Sequence, residues 1–211
     1  GSTRRAHIEP KDDNNLQELV ASKAATITIF GKSSDLHVLD VLKTTLEENL
    51  RMIYSSVDFL KKKTTEVFYD AEHFFDAYKR NPDYALQTIL KAQEAKADCI
   101  ILCDTNGGTL PDEISRIMKD IKAHIKTPLG IHCHNDLGLA VANSLAAIET
   151  GARHVQGSFN GLGERCGNTD LTTLIGILQT KTHFKSIPAT KLKHLTESAY
   201  FISEISNIKL P

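Results

Sequence analysis

The sequence predicts an α/β chain, an incomplete (β/α)₈ barrel (TIM-barrel architecture) with about five strand–helix units present and the first strands missing. Three observations predict it. Short β-branched runs alternate with amphipathic helical patterns five times, the repeat of a parallel α/β protein. The repeat averages about 32 residues, so eight units need about 256, close to the roughly 250 of a complete barrel. No glycine-rich phosphate loop follows the first strand, as it commonly does in a doubly wound open sheet.

The elements follow in order. The opening residues read as the tail of an earlier strand. Ala25–Phe30, Glu66–Tyr69, Asp98–Cys103, Leu129–His132 and His154–Phe159 are short apolar runs, which suit strands of a buried parallel sheet. Ser34 or Asp35 can cap one long helix with the stripe Leu39, Leu42, Leu46, Leu50, Ile53, Val57 and Leu60, whose steps of three and four form one face. Pro82 and Pro111 stand where a first helical turn accepts proline. The second opens a helix with Ile114, Ile117 and Ile121 on one side. Asp136 can cap a helix through Ala140, Val141, Ser144, Ala147 and Ile148, which Gly151 stops. Leu171–Leu178 continues the pattern. Residues 1–185 are therefore expected to form the partial barrel. Residues 186–211, Lys-rich and helical, are expected to begin a segment that leaves it. Five units of eight leave two open sheet edges, a liability for self-association.

Composition narrows the class of function. The 211 residues are 41% hydrophobic and 24% charged with a net charge of −1, an ordinary globular balance. That balance gives no electrostatic footprint for nucleic acid or an acidic membrane surface. No run reaches the roughly 18 apolar residues of a membrane span. Cys99, Cys103, Cys133 and Cys166 form no CxxC pair and read as free thiols of a reducing, cytoplasmic compartment.

The chemistry-bearing residues gather at strand ends. In Ile131-His132-Cys133-His134-Asn135-Asp136 the two histidines stand two apart, so a strand aims both imidazoles at one face. The run ends a strand, which is the mouth where barrel active sites sit, and two neutral imidazoles there suit a divalent metal. Three more strand ends are polar: Asp70-Ala71-Glu72-His73, Asp104-Thr105-Asn106-Gly107-Gly108, and Asn160 through Asn168. Each alone could be an ordinary turn of Asx and Gly residues; four at one mouth point to a site. A metal acting as Lewis acid on a carbonyl fits this set. A Ser-His-Asp hydrolase does not, since no GxSxG occurs.

These motifs resemble the acetyl-CoA-dependent, metal-requiring α-keto acid condensing enzymes: isopropylmalate, homocitrate and citramalate synthases, with hydroxymethylglutaryl-CoA lyase as a relative. Gly130–Asn168 carries the most specific likeness. Thr28–Ser33, Tyr69–Tyr84 and Cys103–Pro111 are similar to the citramalate synthase branch. The resemblance implies a Claisen-type condensation of acetyl-CoA, as cosubstrate, with a keto acid. Pyruvate giving citramalate, for isoleucine biosynthesis, comes first; the 2-isopropylmalate (leucine biosynthesis) and homocitrate reactions are alternatives. It implies His132, His134 and Asn168 at a divalent metal (Mn, Mg or Zn), Glu72 as the catalytic carboxylate in the keto acid pocket, and Thr105 binding the substrate carboxylate. Asn168 could instead cap the next helix, and Glu164 and Arg165 could form a structural ion pair. It also implies a cytoplasmic homodimer in the full-length form. Family members carry an Arg-Asp pair on the first barrel strand, the Asp completing the metal site. No such strand occurs in these residues, so the chain is expected to be a fragment that is inactive by itself. A non-catalytic scaffold is the alternative of another class.

Overall fold

The computed structural model describes residues 1–209; Leu210 and Pro211, the end of the expected 186–211 segment, lie outside the described residues. Five parallel strands form one sheet in sequential order: β1 (Thr26–Lys32), β2 (Glu66–Glu72), β3 (Cys99–Asp104), β4 (Leu129–Cys133) and β5 (His154–Gln156). A doubly wound sheet reverses its strand order at a switch point; this order never reverses. The predicted strand tail is present. Ser2 bridges Phe30 in parallel, with Thr3 N–H donating to the Phe30 carbonyl and Phe30 N–H to that of Gly1, each at 2.9 Å.

The helices are α1 (Asn14–Ala21), α2 (Asp35–Asp40), α3 (Leu46–Lys61), α4 (Phe74–Arg80), α5 (Pro82–Glu94), α6 (Pro111–His124), α7 (Ala140–Thr150), α8 (Leu171–Lys181) and α9 (Leu195–Ser206). They give the main core its outer half. Ile53, Val57 and Leu60 of α3, Ile89 of α5, and Ile114, Ile117 and Ile121 of α6 pack on Ile27, Ile29, Val67, Tyr69, Ile100, Leu102 and Ile131 of the strands. Because side chains alternate across a strand, the other face carries Thr28, Phe30, Lys32, Phe68, Asp70, Glu72, Ile101, Cys103, His132 and Gln156.

That second face is the inside of an arc. Adjacent strands lie about 4.8 Å apart, so a flat sheet would hold β2 and β5 about 14 Å apart. Yet Gln156 Nε2 donates to Asp70 Oδ1 at 2.9 Å, and the Phe68 and His154 ring centroids are 5.1 Å apart. Side chains can meet across two intervening strands only if the sheet curls around this face, as it does in a barrel.

Two local expectations are corrected. The single long helix expected after Ser34 is two, α2 and α3. Lys43 takes a left-handed φ of 52°, and the Thr45 hydroxyl accepts the Glu48 N–H at 3.1 Å, starting a new helix. Leu39 is consequently 53% exposed, and Val41 62%. Asp136 does not cap α7; the Asn135 side chain accepts the Ala140 N–H at 3.1 Å, leaving Asp136 free for another partner. Gly151 does end α7, at a φ of 111°. Beyond α8, a short turn (Ala189–His194) leads into α9, which packs on α8 and on the Phe159–Gly161 turn.

The N-terminal tail is anchored by a buried ion pair. Arg4 Nη1 donates to Glu48 Oε1 at 2.9 Å, and Arg4 Nε to Ser55 Oγ at 2.7 Å. Burial alone would raise the Glu48 carboxyl, but the His7 N–H, Arg4 and Arg51 outweigh it and bring it down to about 2. Arg4→Ala is expected to cost about 3 kcal/mol, the scale of stripping one partner from a buried pair. Urea unfolding of both proteins at pH 7 checks this; a loss under about 1 kcal/mol would show that Arg51 suffices.

Candidate functional site

The C-terminal ends of β1 to β4 meet the loop after β5 at one mouth. His132 lies on β4 and His134 just past its end; both point into the arc. Their Nε2 atoms are 3.4 Å apart. His132 Nδ1 is 2.9 Å from Gln156 Oε1. That amide oxygen can only accept, so Nδ1 carries the proton and the His132 Nε2 lone pair is free. A hydrogen bond between the rings then requires His134 to donate from Nε2, which leaves His134 Nδ1 proton-free. That atom is buried without a partner. Burial lowers the pKa of both imidazoles; the neighbouring His134 adds to this for His132, as Arg165 does for His134.

Asn168 reaches the same place from the loop after β5. Its backbone bridges His134 in antiparallel fashion, which puts the two side chains on one face. Its Oδ1 is buried with no hydrogen-bond partner. It does not cap the next helix; Asp170 does, accepting the Thr172 N–H at 2.9 Å. Gly163 is required here, since a Cβ on it would stand 2.4 Å from Asn168 Nδ2.

Glu72 ends β2 on the same inner face, ion-paired with Lys32 across the β1–β2 register. Thr105 follows β3. Its hydroxyl oxygen accepts the His73 N–H at 2.8 Å, so its own O–H remains available to donate to a ligand. Arg165 binds Asp136 through both carboxylate oxygens, at 2.8 and 3.0 Å, and donates to the Thr105 carbonyl at 2.8 Å. Glu164 stands farther off, 3.6 Å from Arg165. Hydrogen bonds thus link the loops after β2, β3, β4 and β5 in one chain from His73 through Thr105 and Arg165 to Asp136. Gly107, at a φ of 61°, lets this cluster close; a Cβ there would lie 2.7 Å from Asp136 Oδ2.

Two residues of this face, Lys32 and Gln156, are not singled out by sequence reasoning, and a third, Asp70, appears there only within a polar strand end and with no role of its own. Period-two alternation from Thr28 marks Lys32 as inward-facing, and Asp70 stands two residues before Glu72 by the same rule. Gln156 carries no spacing signal. Burial raises the Asp70 carboxyl to about 6 against the opposing pull of Gln156 and the Gly1 ammonium. Because its folded value exceeds the unfolded one, Asp70 penalises the fold in full above about pH 6, and the penalty fades as pH falls from about 6 to about 4. Asp70→Asn keeps an acceptor for Gln156. It is expected to stabilise the chain by about 2 kcal/mol at pH 8 and by nothing measurable near pH 4. Urea melts at the two pH values check this, and an equal effect at both would refute it.

The donor set can be tested against a divalent metal. Two nitrogens bound at about 2.1 Å in tetrahedral geometry stand about 3.4 Å apart, the spacing seen. Both imidazoles are biased to the neutral form that metals need, and Asn168 offers an unpartnered oxygen. Among the described residues no three His, Cys, Asp or Glu side chains group as a metal site. The residues therefore fit as part of a metal site that needs a further ligand.

Comparisons with known proteins identify the family. The family model described as HMGL-like matches residues 6–202. The chain belongs to the HMGL-like family. Within it, the chain is 54% identical over 212 residues to an (R)-citramalate synthase of Aquifex aeolicus, covering 100% of this chain and 40% of that protein. It is 51% identical over 208 residues to the (R)-citramalate synthase of Geobacter sulfurreducens, covering 99% and 39%. It therefore spans about two fifths of the length of these curated relatives. The structure of an HMG-CoA lyase from Bacillus subtilis superimposes with a TM-score of 0.79 at 18% identity, covering 100% of this chain and 70% of that one. At that identity the likeness speaks for fold alone, and it agrees with the partial barrel read from the strand order. The resemblance to citramalate synthases and the incomplete-barrel fold class both stand. All four cysteines are free thiols, three of them buried. No helix among the described residues is long and apolar enough to cross a membrane.

Proposed function

We propose that this HMGL-like chain is the catalytic barrel segment of an acyltransferase that condenses acetyl-CoA with pyruvate to give citramalate. The carrying observation is the pair of imidazoles, 3.4 Å apart at Nε2, at a mouth shared with Glu72, Thr105 and Asn168. The identity to two (R)-citramalate synthases supports pyruvate over a larger keto acid.

His132, His134 and Asn168 would hold Mn²⁺, Mg²⁺ or Zn²⁺. The bound ion supplies Lewis-acid chemistry, drawing electron density from the keto acid carbonyl. Thr105 donates its hydroxyl to the substrate carboxylate. Glu72 and Lys32 set the charge in the keto acid pocket and orient the reacting groups. The reaction removes a proton from the acetyl methyl group and joins that carbon to the keto carbon of pyruvate. Water then cleaves the thioester, releasing citramalate and CoA. The free thiols support a cytoplasmic location. The full-length form is read as a homodimer with residues 1–185 in the barrel and 186–211 opening the next segment.

The test places this segment within a full-length synthase and assays free CoA thiol with acetyl-CoA, Mn²⁺ and one keto acid at a time. Turnover is expected with pyruvate, well above that with 2-oxoisovalerate or 2-oxoglutarate. A preference for either larger acid would reassign the substrate. The 211-residue chain alone is expected to give no thiol above a metal-only blank, because two imidazoles and an amide are a weak neutral set for Mn²⁺ or Mg²⁺. Turnover by the chain alone at a full-length rate would refute that account of the site.

A further inference from the structure

We propose that Gln156 and Asp70 are positioning residues that hold His132 in one tautomer, with its proton on Nδ1 and its Nε2 lone pair presented at the mouth. The inference deepens the functional reading above and rests on the metal role given there to His132.

The argument is one of forced hydrogen-bond direction. An ionised Asp70 carboxylate can only accept. The end of the Gln156 amide facing it, at 2.9 Å, must therefore be the NH₂ group. The amide oxygen is thereby turned toward His132 Nδ1, also at 2.9 Å. An oxygen there can be satisfied only by an N–H, so the proton sits on Nδ1 and Nε2 is left unprotonated. Without Asp70 the amide could rotate by half a turn and offer its NH₂ to the ring, reversing the tautomer and closing Nε2 with a proton. The relay thus runs carboxylate to amide to imidazole, and each member fixes the direction of the next.

The three groups come from three strands. Gln156 and His132 are register partners on β5 and β4, so the second bond is local to neighbouring strands. Asp70 is on β2 and reaches Gln156 only across the inside of the arc. The orientation of a β4 imidazole is therefore set from the far side of the barrel. This suits a metal ligand, since partners that fix a ligating histidine's second nitrogen tune affinity by about 10–100-fold.

The test is imidazole ¹⁵N NMR on the metal-free 211-residue chain at pH 8, with His132 assigned through His132→Gln. The unaltered chain is expected to show His132 with a protonated Nδ1 and a bare Nε2. Gln156→Met, similar in size but without a hydrogen bond, should give a tautomer mixture or the reverse. Gln156→Glu, which keeps an acceptor beside Nδ1, should restore the original form. Asp70→Leu, which frees the amide to rotate, should also give a mixture. An unchanged His132 tautomer in Gln156→Met, with thermal unfolding showing that the variant is folded, would overturn the proposal. If that variant does not fold, the Asp70→Leu spectrum decides in the same way.

Mn²⁺ titration of a full-length synthase carrying the same substitutions gives a second readout, with an expected 10–100-fold loss of affinity in Gln156→Met. No Mn²⁺, Mg²⁺ or Zn²⁺ binding by the unaltered synthase would sink the metal reading, while the tautomer spectra would still decide the relay.

Discussion

Glu72→Gln in a full-length synthase is expected to lower kcat by about 10²-fold, the scale of a lost positioning contact at a reacting centre, with the fold retained. The residue ends β2 on the inner face of the arc, and its carboxylate pairs with Lys32. Glutamine keeps the shape and a hydrogen-bond acceptor for the ammonium, so packing should survive. The negative charge that orients the reacting groups is lost. Lys32 would then stand partly buried without a countercharge, at a cost of about 1 kcal/mol in stability. The measurement is free thiol released from acetyl-CoA with saturating pyruvate, beside a thermal melt of both proteins. Near-normal turnover would reduce Glu72 to a structural partner of Lys32. A collapsed melt would show that the ion pair holds the β1–β2 edge together.

The second large effect concerns the histidine pair. His134→Ala in a full-length synthase should weaken Mn²⁺ binding by more than the roughly 10–100-fold that loss of an outer partner costs. Half of the imidazole pair would be gone, and Asn168 Oδ1 would face a void. The pH dependence follows from the direction of the shifts. Burial lowers both imidazole pKa values, so the rings stay neutral down through the ordinary histidine value of about 6.5. Metal needs the neutral ring. Affinity for Mn²⁺ in the unaltered protein should therefore be level from pH 8 to about 6.5 and fall only below it. Isothermal titration at three pH values measures this. A tenfold loss already at pH 7 would mean that the rings are protonated there and that the geometry has been misread.

Much of the chain is legible in its sequence because the signals are local. The apolar runs at Glu66–Tyr69 and Asp98–Cys103 become β2 and β3 because parallel strands covered by helices are strongly apolar. Pro82, Pro111 and Gly151 mark helix ends through backbone constraints that act within one turn. The His132–His134 spacing gives a shared face from strand geometry alone, and the Nε2 contact agrees with it. The division of α2 from α3 was also legible, since Thr45-x-x-Glu48 is a helix-start signature. The leucine stripe obscured it, because residues on two successive helices can share a period of three to four without sharing a face.

By itself the sequence determined the strand and helix order, the placing of four polar segments at strand ends, and the likeness that supplies a chemistry. Only the tertiary structure decided which of those polar groups meet. Arg165 does stand 3.6 Å from Glu164 beside it, yet its shorter, two-oxygen bond goes to Asp136 because the loops after β4 and β5 fold over one another. Lys32 finds Glu72 through strand register. Asp70 and Gln156 are 86 residues apart and carry no pattern that links them. They touch because the sheet curls, and its curvature comes from the summed twist of strands packed against a helical layer, which no single stretch of sequence records.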